Sequence, residues 1–195
     1  MRYIMPVLQF LIMRRHAIFT IVTAMAKIGY LVYVLYGIIA WFQPGTTQEK
    51  LRRRESLWYC LFAVIIGSGI SAVIGLLWHR PRPFVRHSYI FPLIPHRQNA
   101  SFPSNHSMNS MAIATTLLWC GNPLGWFFLP WSLLLGASRV LCGVHYVTDV
   151  LGGFALGIVS AALVTHSSYS KALAKRMNWY AHIGATLGKT WYSRW

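Results

Sequence analysis

The sequence predicts an all-α fold, a polytopic bundle of five core transmembrane helices in one domain over residues 1–195. Three observations carry this prediction. First, 55% of residues are apolar and only 11% charged, with a mean hydropathy of +0.45; soluble domains carry about a quarter charged residues. Second, apolar runs near the length needed to cross a bilayer, about 20 residues, recur along the chain. Third, the ionisable residues collect in the segments between those runs. The same composition excludes a disordered chain.

The first apolar run, residues 17–42, is broken only by Lys27, and the second, residues 57–78, carries no charge. Runs at 107–120 and 124–137 are separated by the turn signal Gly121-Asn122-Pro123; extended to 103–120 and 124–140, each is long enough to cross. The fifth run, 147–165, contains Gly153-x-x-x-Gly157, a spacing that lets helices approach closely but is common by chance. Residues 1–16 can form a sixth, interfacial helix, with Arg14 and Arg15 at the headgroups. No small-residue cleavage site follows a short apolar core, so a cleavable signal peptide is not expected. The tail, residues 169–195, mixes Trp179, Tyr180, Trp191, Tyr192 and Trp195 with basic residues and suits the cytoplasmic leaflet.

Eighteen Lys and Arg face three acids, a formal charge of +15. Such a balance suits nucleic acid, anionic lipid or phosphorylated substrates, and the apolar content argues against nucleic acid. The loop at residues 48–55, with Lys50, Arg52, Arg53 and Arg54, reads as cytoplasmic by the positive-inside rule. Basic residues divide almost evenly between the two sides, so this orientation holds only if the arginines of 80–97 and Arg139 serve chemistry. Cys60, Cys120 and Cys142 show no paired spacing, and neither a disulfide framework nor a zinc site is expected.

Two inter-helix segments emerge on one face of a five-span topology. One runs from His79-Arg80-Pro81-Arg82-Pro83 to Pro103-Ser104-Asn105-His106, the other from Ser138-Arg139 to His145 and Asp149. A charge cluster alone would more often be a headgroup-binding loop. Asp149, however, is the only carboxylate in residues 56–195 and stands at the start of a membrane helix, where an ionisable group is costly and usually paired or functional. His145 is four residues back, and a carboxylate on one ring nitrogen leaves the other as nucleophile or base. Arg139 can hold phosphate oxygens in a fork. Residues 104–106 begin a helix whose free amides attract anions, and Ser104, Asn105 and His106 add a hydroxyl, an amide and an acid. With one carboxylate nearby, no metal cage is available. The chemistry this suggests is metal-independent phosphoryl transfer through a phosphohistidine.

These residues resemble the type-2 phosphatidic acid phosphatase family, whose motifs are Lys-x6-Arg-Pro, Pro-Ser-x-His and Ser-Arg-x5-His-x3-Asp. The first is matched at Arg82-Pro83, the second at Pro103, Ser104 and His106, the third at Ser138, Arg139, His145 and Asp149. The resemblance spans about residues 56–165, and the context looks most like the bacitracin-resistance type of undecaprenyl-diphosphate phosphatase. It implies His145 as nucleophile, Asp149 as its orienting partner and His106 as the acid for the leaving group. Arg82, Arg139, Ser104 and the amides around Asn105 would bind the phosphoryl group. It further implies a polyprenyl diphosphate substrate, no cofactor, and a multi-pass protein of the bacterial inner membrane with its site facing the periplasm or cell exterior. The lipid could instead be phosphatidic acid, phosphatidylglycerol phosphate or lipid A. From another class, a non-catalytic lipid binder would have no use for His145, His106 and Asp149 together.

Two positions depart from the pattern. Gly75 stands where the motif lysine falls, with Lys27 and Arg80 as accessory candidates to replace it. Lys27 can equally snorkel to the interface. Asn105 stands where the family carries Gly or Asp. His87 and His96 match no motif and are expected on a loop face near headgroups, where they can also contact substrate.

Overall fold

The structure is a computed structural model describing residues 4–192, with side chains described for 5–180. Among the described residues its regular elements are all helices: α1 (Ile4–Arg14), α2 (His16–Ile28), α3 (Leu31–Phe42), α4 (Thr47–Leu77), α5 (Pro83–Arg86), α6 (Asn105–Trp119), α7 (Leu124–Leu141), α8 (Val147–His166) and α9 (Ser168–Tyr192). Helices α4, α7 and α8 are each long and apolar enough to cross a membrane. Their packing is that of a protein dissolved in lipid. Ile65, Leu134 and Val159 point outward, whereas Ser107, Ser110, Thr116 and Ser160 are buried. Hydrocarbon gives no premium to buried apolar surface, so small residues that allow close backbone contact hold such bundles together.

Helix α6 is the hub, packed against α4, α7 and α8. A Cβ on Gly153 of α8 would stand 2.6 Å from the Ser104 carbonyl oxygen, and one on Gly157 2.5 Å from that of Met108. Both contacts are to backbone, so the Gly-x-x-x-Gly pair is the α6–α8 interface itself. On α4, a Cβ at Gly67 would meet the Met108 sulfur at 2.5 Å.

Three elements differ from expectation. The run 17–42 is divided into α2 and α3 at Gly29-Tyr30, although both residues keep right-handed helical angles. The cause is the approach of α7: the Trp131 indole donates to the Gly29 carbonyl at 2.9 Å, drawing that oxygen out of the helical ladder. Residues 48–55, expected as a loop, are the first turns of α4. Thr46 and Glu49 form a capping box, with Thr46 N–H donating to Glu49 Oε2 at 2.8 Å, which starts a helix directly after Pro44-Gly45. Arg53 steadies that start by donating to the Gln43 carbonyl at 2.7 Å.

Helix α1 bends back from α2 by 114° and is more than an interfacial ribbon. Its Gln9, 2% exposed, donates to the Phe91 carbonyl at 2.9 Å and stitches α1 to the loop that precedes α6. At the other end of the chain, Asn178 of α9 donates to the Leu51 carbonyl of α4 at 3.1 Å. Of the aromatic and basic tail, Arg194 and Trp195 lie outside the described residues.

Candidate active site

The site forms where the irregular segment 78–104 meets the turn between α7 and α8. That turn depends on Gly143, whose φ of +73° lies in the left-handed region. There it closes α7 with a Gly143 N–H bond to Val140 O, as glycine does at helix C-termini. The chain then presents His145 inward, 3% exposed, just before the start of α8.

The imidazole is oriented by two groups on opposite sides of the sequence. His145 Nδ1 lies 2.9 Å from the Ser101 carbonyl and 3.5 Å from Asp149 Oδ2. A carbonyl can only accept, so Nδ1 carries the hydrogen and Nε2 the lone pair. Burial is the largest influence on this ring and lowers its proton affinity below the ordinary histidine value, with the Asp149 bond opposing; the ring is therefore neutral at pH 7. Asp149 is fully buried. As the third residue of α8 it accepts the Tyr146 N–H at 2.8 Å on Oδ2, which also takes the Ser101 hydroxyl. Oδ1 accepts from Arg80 at 2.6 Å.

Two arginines face the same space. Arg82, 4% exposed, is spread across acceptors: Asn99 Oδ1 at 2.9 Å, Ala100 O at 3.0 Å, Val144 O at 2.9 Å, and His145 Nε2 at 3.1 Å. Burial and the neighbouring Arg139 pull its pKa down to about 10, which leaves it charged at neutral pH. Arg139, 2% exposed, donates through Nη1 to the Ala26 carbonyl at 2.7 Å. Its Nε and Nη2 are buried and find no acceptor among the described residues. Leaving charged donors unpaired inside a protein costs free energy, and a phosphoryl group would satisfy them.

Helix α6 begins at this space. Ser104 occupies the N-cap without a side-chain cap bond, so the amides of Asn105, His106 and Ser107 remain open to an anion. The Ser104 hydroxyl is buried and accepts from Ser107 at 3.0 Å. His106 stands edge-on to Tyr30, with Arg139, His145, His96 and Arg82 as its ionisable neighbours. A cavity of about 680 Å³ opens beside His145, lined largely by apolar side chains including Met5, Leu8, Ile90, Val140 and Val147.

Of the residues expected at the site, His145, Asp149, His106, Arg82, Arg139 and Ser104 come together. Asn105 brings its backbone amide to the helix start, and its side-chain oxygen accepts from Ser71 on α4. Lys27 is exposed on α2, one residue beyond the Ala26 that holds Arg139, and makes no hydrogen bond among the described residues. Arg80 engages Asp149 through Nη1 at 2.6 Å. Sequence reasoning gave no role to Ser101 or Asn99, and for His96 it allowed substrate contact beside a place near headgroups. His96 stands edge-on to His145, ring centres 6.0 Å apart. Its Nδ1 lies 3.1 Å from the Arg97 carbonyl, and burial lowers its pKa.

The sequence model described as the PAP2 superfamily matches residues 56–172. The chain is 37% identical over 127 residues to the undecaprenyl-diphosphatase BcrC of Bacillus subtilis, covering 65% of this chain and 63% of the relative. It is 29% identical to the bacitracin transport permease protein BcrC of Bacillus licheniformis, covering 69% and 65%. It therefore spans just under two thirds of the length of these relatives. Among solved structures, the transmembrane PAP2-type phosphatidylglycerolphosphate phosphatase of Bacillus subtilis superposes with a TM-score of 0.58 at 27% identity, over 83% of this chain and 82% of that one. Aquifex aeolicus LpxE gives 0.62 at 21% identity, over 76% and 86%, a likeness of fold.

Proposed function

The chain belongs to the PAP2 superfamily, and from that membership we propose that it hydrolyses undecaprenyl diphosphate to undecaprenyl phosphate and inorganic phosphate, recycling the cell-wall lipid carrier. The observation that carries the reading is the buried neutral His145 with Nδ1 capped by Ser101 and Asp149, facing two buried arginines of which one has unpaired donors. A lipid binder needs the arginines; it does not need a fixed tautomer.

In this mechanism His145 Nε2 attacks the distal phosphorus. The N–P bond forms as the P–O bond to the bridging oxygen breaks, and His106 gives a proton to the departing lipid phosphate. Arg82, Arg139 and the first amides of α6 bind the equatorial oxygens, where charge is spread in the transition state. Arg82 Nη1 passes from Nε2 to a phosphoryl oxygen as the substrate arrives. Water then attacks the phosphohistidine, giving a proton back to His106 as the O–P bond forms and the N–P bond breaks, which releases phosphate and regenerates the imidazole. Positive charge comes from guanidinium groups, so no metal is required. The apolar cavity beside His145 suits a polyprenyl chain, and the names of the BcrC relatives favour this substrate. The site faces the periplasm or cell exterior of a bacterial inner membrane.

The test is phosphate release from undecaprenyl diphosphate by detergent-purified protein in EDTA, wild type against His145→Ala. Release that survives EDTA and vanishes in the variant supports the proposal. Faster release from phosphatidylglycerol phosphate, phosphatidic acid or lipid A would move the reading to that lipid, and no release from any would leave a phospholipid binder.

A further inference from the structure

We propose that Arg80 is a positioning residue, holding the Asp149 carboxylate and offsetting its charge so that His145 stays a neutral nucleophile. Arg80 Nη1 donates both to Asp149 Oδ1 at 2.6 Å and to Thr148 Oγ1 at 2.7 Å. The guanidinium carbon lies 4.1 Å from the centre of the Tyr146 ring, which fixes its plane. The Arg80 main chain joins the same network: its carbonyl accepts the Ser101 N–H at 2.8 Å, and Ser101 holds both His145 and Asp149. One residue thus clamps the carboxylate directly and the imidazole through one intermediate.

Charge balance explains why the clamp is a cation. Asp149 is fully buried, and its Oδ2 already takes the Tyr146 amide and the Ser101 hydroxyl. On Oδ1 its partner among the described residues is Arg80. A buried carboxylate without a cation draws a proton to the nearest base, here the imidazole 3.5 Å away, and an imidazolium has no lone pair to attack phosphorus. Of the other groups facing His145, Arg82 from the 78–104 segment and Arg139 from α7 oppose that protonation, while the His96 ring from the same segment and His106 from α6 stand beside them. Arg80 therefore adds to a set that keeps the ring neutral, acting from the far side of Asp149. Its role in turnover rests on the phosphatase reading; its effect on His145 protonation does not.

The experiment uses the full chain in detergent with Arg80→Gln and Arg80→Lys. The His145 ring is titrated by NMR without substrate, its signal assigned by loss in His145→Gln, and steady-state kinetics are measured in parallel. Arg80→Gln is expected to raise the His145 midpoint by about one pH unit or more. It should move the acid limb of kcat up by the same interval while KM at neutral pH stays within about twofold. Arg80→Lys, which restores the charge, recovers most of both. An unchanged midpoint in folded Arg80→Gln overturns the proposal, as does a raised KM at constant kcat, which would make Arg80 a phosphate ligand. Arg80→Met, whose stem still packs on Tyr146, decides the same question if the Gln variant does not fold. If the wild type releases phosphate from no lipid, the phosphatase reading fails while the titration still answers for Arg80.

Discussion

Arg82 Nη1 lies 3.1 Å from His145 Nε2, the nitrogen left unprotonated because Nδ1 bonds the Ser101 carbonyl. The Arg82 guanidinium therefore sits on the lone pair that the proposed mechanism uses. A phosphoryl oxygen is a better acceptor than a neutral imidazole, so substrate binding and nucleophile release become one event. The geometry also shields the imidazole from protonation when no substrate is present.

A pH dependence follows from that shielding. Burial depresses the His145 pKa below the ordinary 6.5, and attack requires the neutral ring. The nucleophile is then fully available at pH 6.5, and the acid limb of kcat/KM that belongs to His145 falls below that pH. Stability moves in the same direction. Below 6.5 the unfolded chain takes up a proton that the folded site refuses, so the folded state loses this contribution as pH falls towards the depressed value. An acid limb assigned to His145 at or above 6.5 would contradict the burial argument.

Arg139 sets activity against stability. With Nε and Nη2 buried and unpaired, Arg139→Met should raise the unfolding temperature in detergent by the equivalent of about 1 kcal/mol or more, as removal of uncompensated buried charge does. The same change should cut kcat by about a hundredfold or more, the usual effect of losing a donor to the transition state. A destabilised Arg139→Met would mean that the guanidinium holds the fold through Ala26 instead.

The α6–α8 contact gives a packing prediction with an internal control. Gly157→Ala places a Cβ 2.5 Å from the Met108 carbonyl oxygen, whereas a Cβ at Gly69 on α4 meets nothing within 4 Å. Gly157→Ala should destabilise by about 1–3 kcal/mol through overpacking, and because α6 carries Ser104 and His106, activity should fall with it. Gly69→Ala should keep wild-type stability, measured by thermal unfolding.

The vacant lysine position can be refilled. A Cβ at Gly75 would touch the Ala100 Cβ at 3.5 Å and the Phe102 carbonyl oxygen at 3.9 Å, both ordinary contacts. Gly75→Lys should fold and, by adding a cation near the 99–104 segment, lower KM several-fold. A higher KM would show that the space is closed to a side chain.

What the sequence made legible were residues close together in the chain or spaced by a motif: His145 with Asp149, Pro103-Ser104 with His106, and Ser138 with Arg139. Their charge in an apolar segment demanded a reason. The contacts it hid join distant segments. Arg80 lies 69 positions from Asp149, and Ser101 lies 44 from His145, with its main-chain oxygen as the acceptor, a group every residue has. The same limit explains the fold. Apolar runs mark helices, but the break at Gly29 depends on Trp131, 102 residues away. The helical start at Thr46 was written locally, in Thr46 and Glu49, and was masked by the basic residues that follow.

The central claim is a covalent phosphohistidine on His145. The direct measurement is rapid alkaline quenching of enzyme mixed with undecaprenyl diphosphate labelled in its distal phosphate, followed by analysis of the protein. The account predicts stoichiometric label that is stable to base, labile to acid, located at His145 and absent in His145→Asn. Full turnover with no labelled protein at any quench time, or label that persists in His145→Asn, would contradict it.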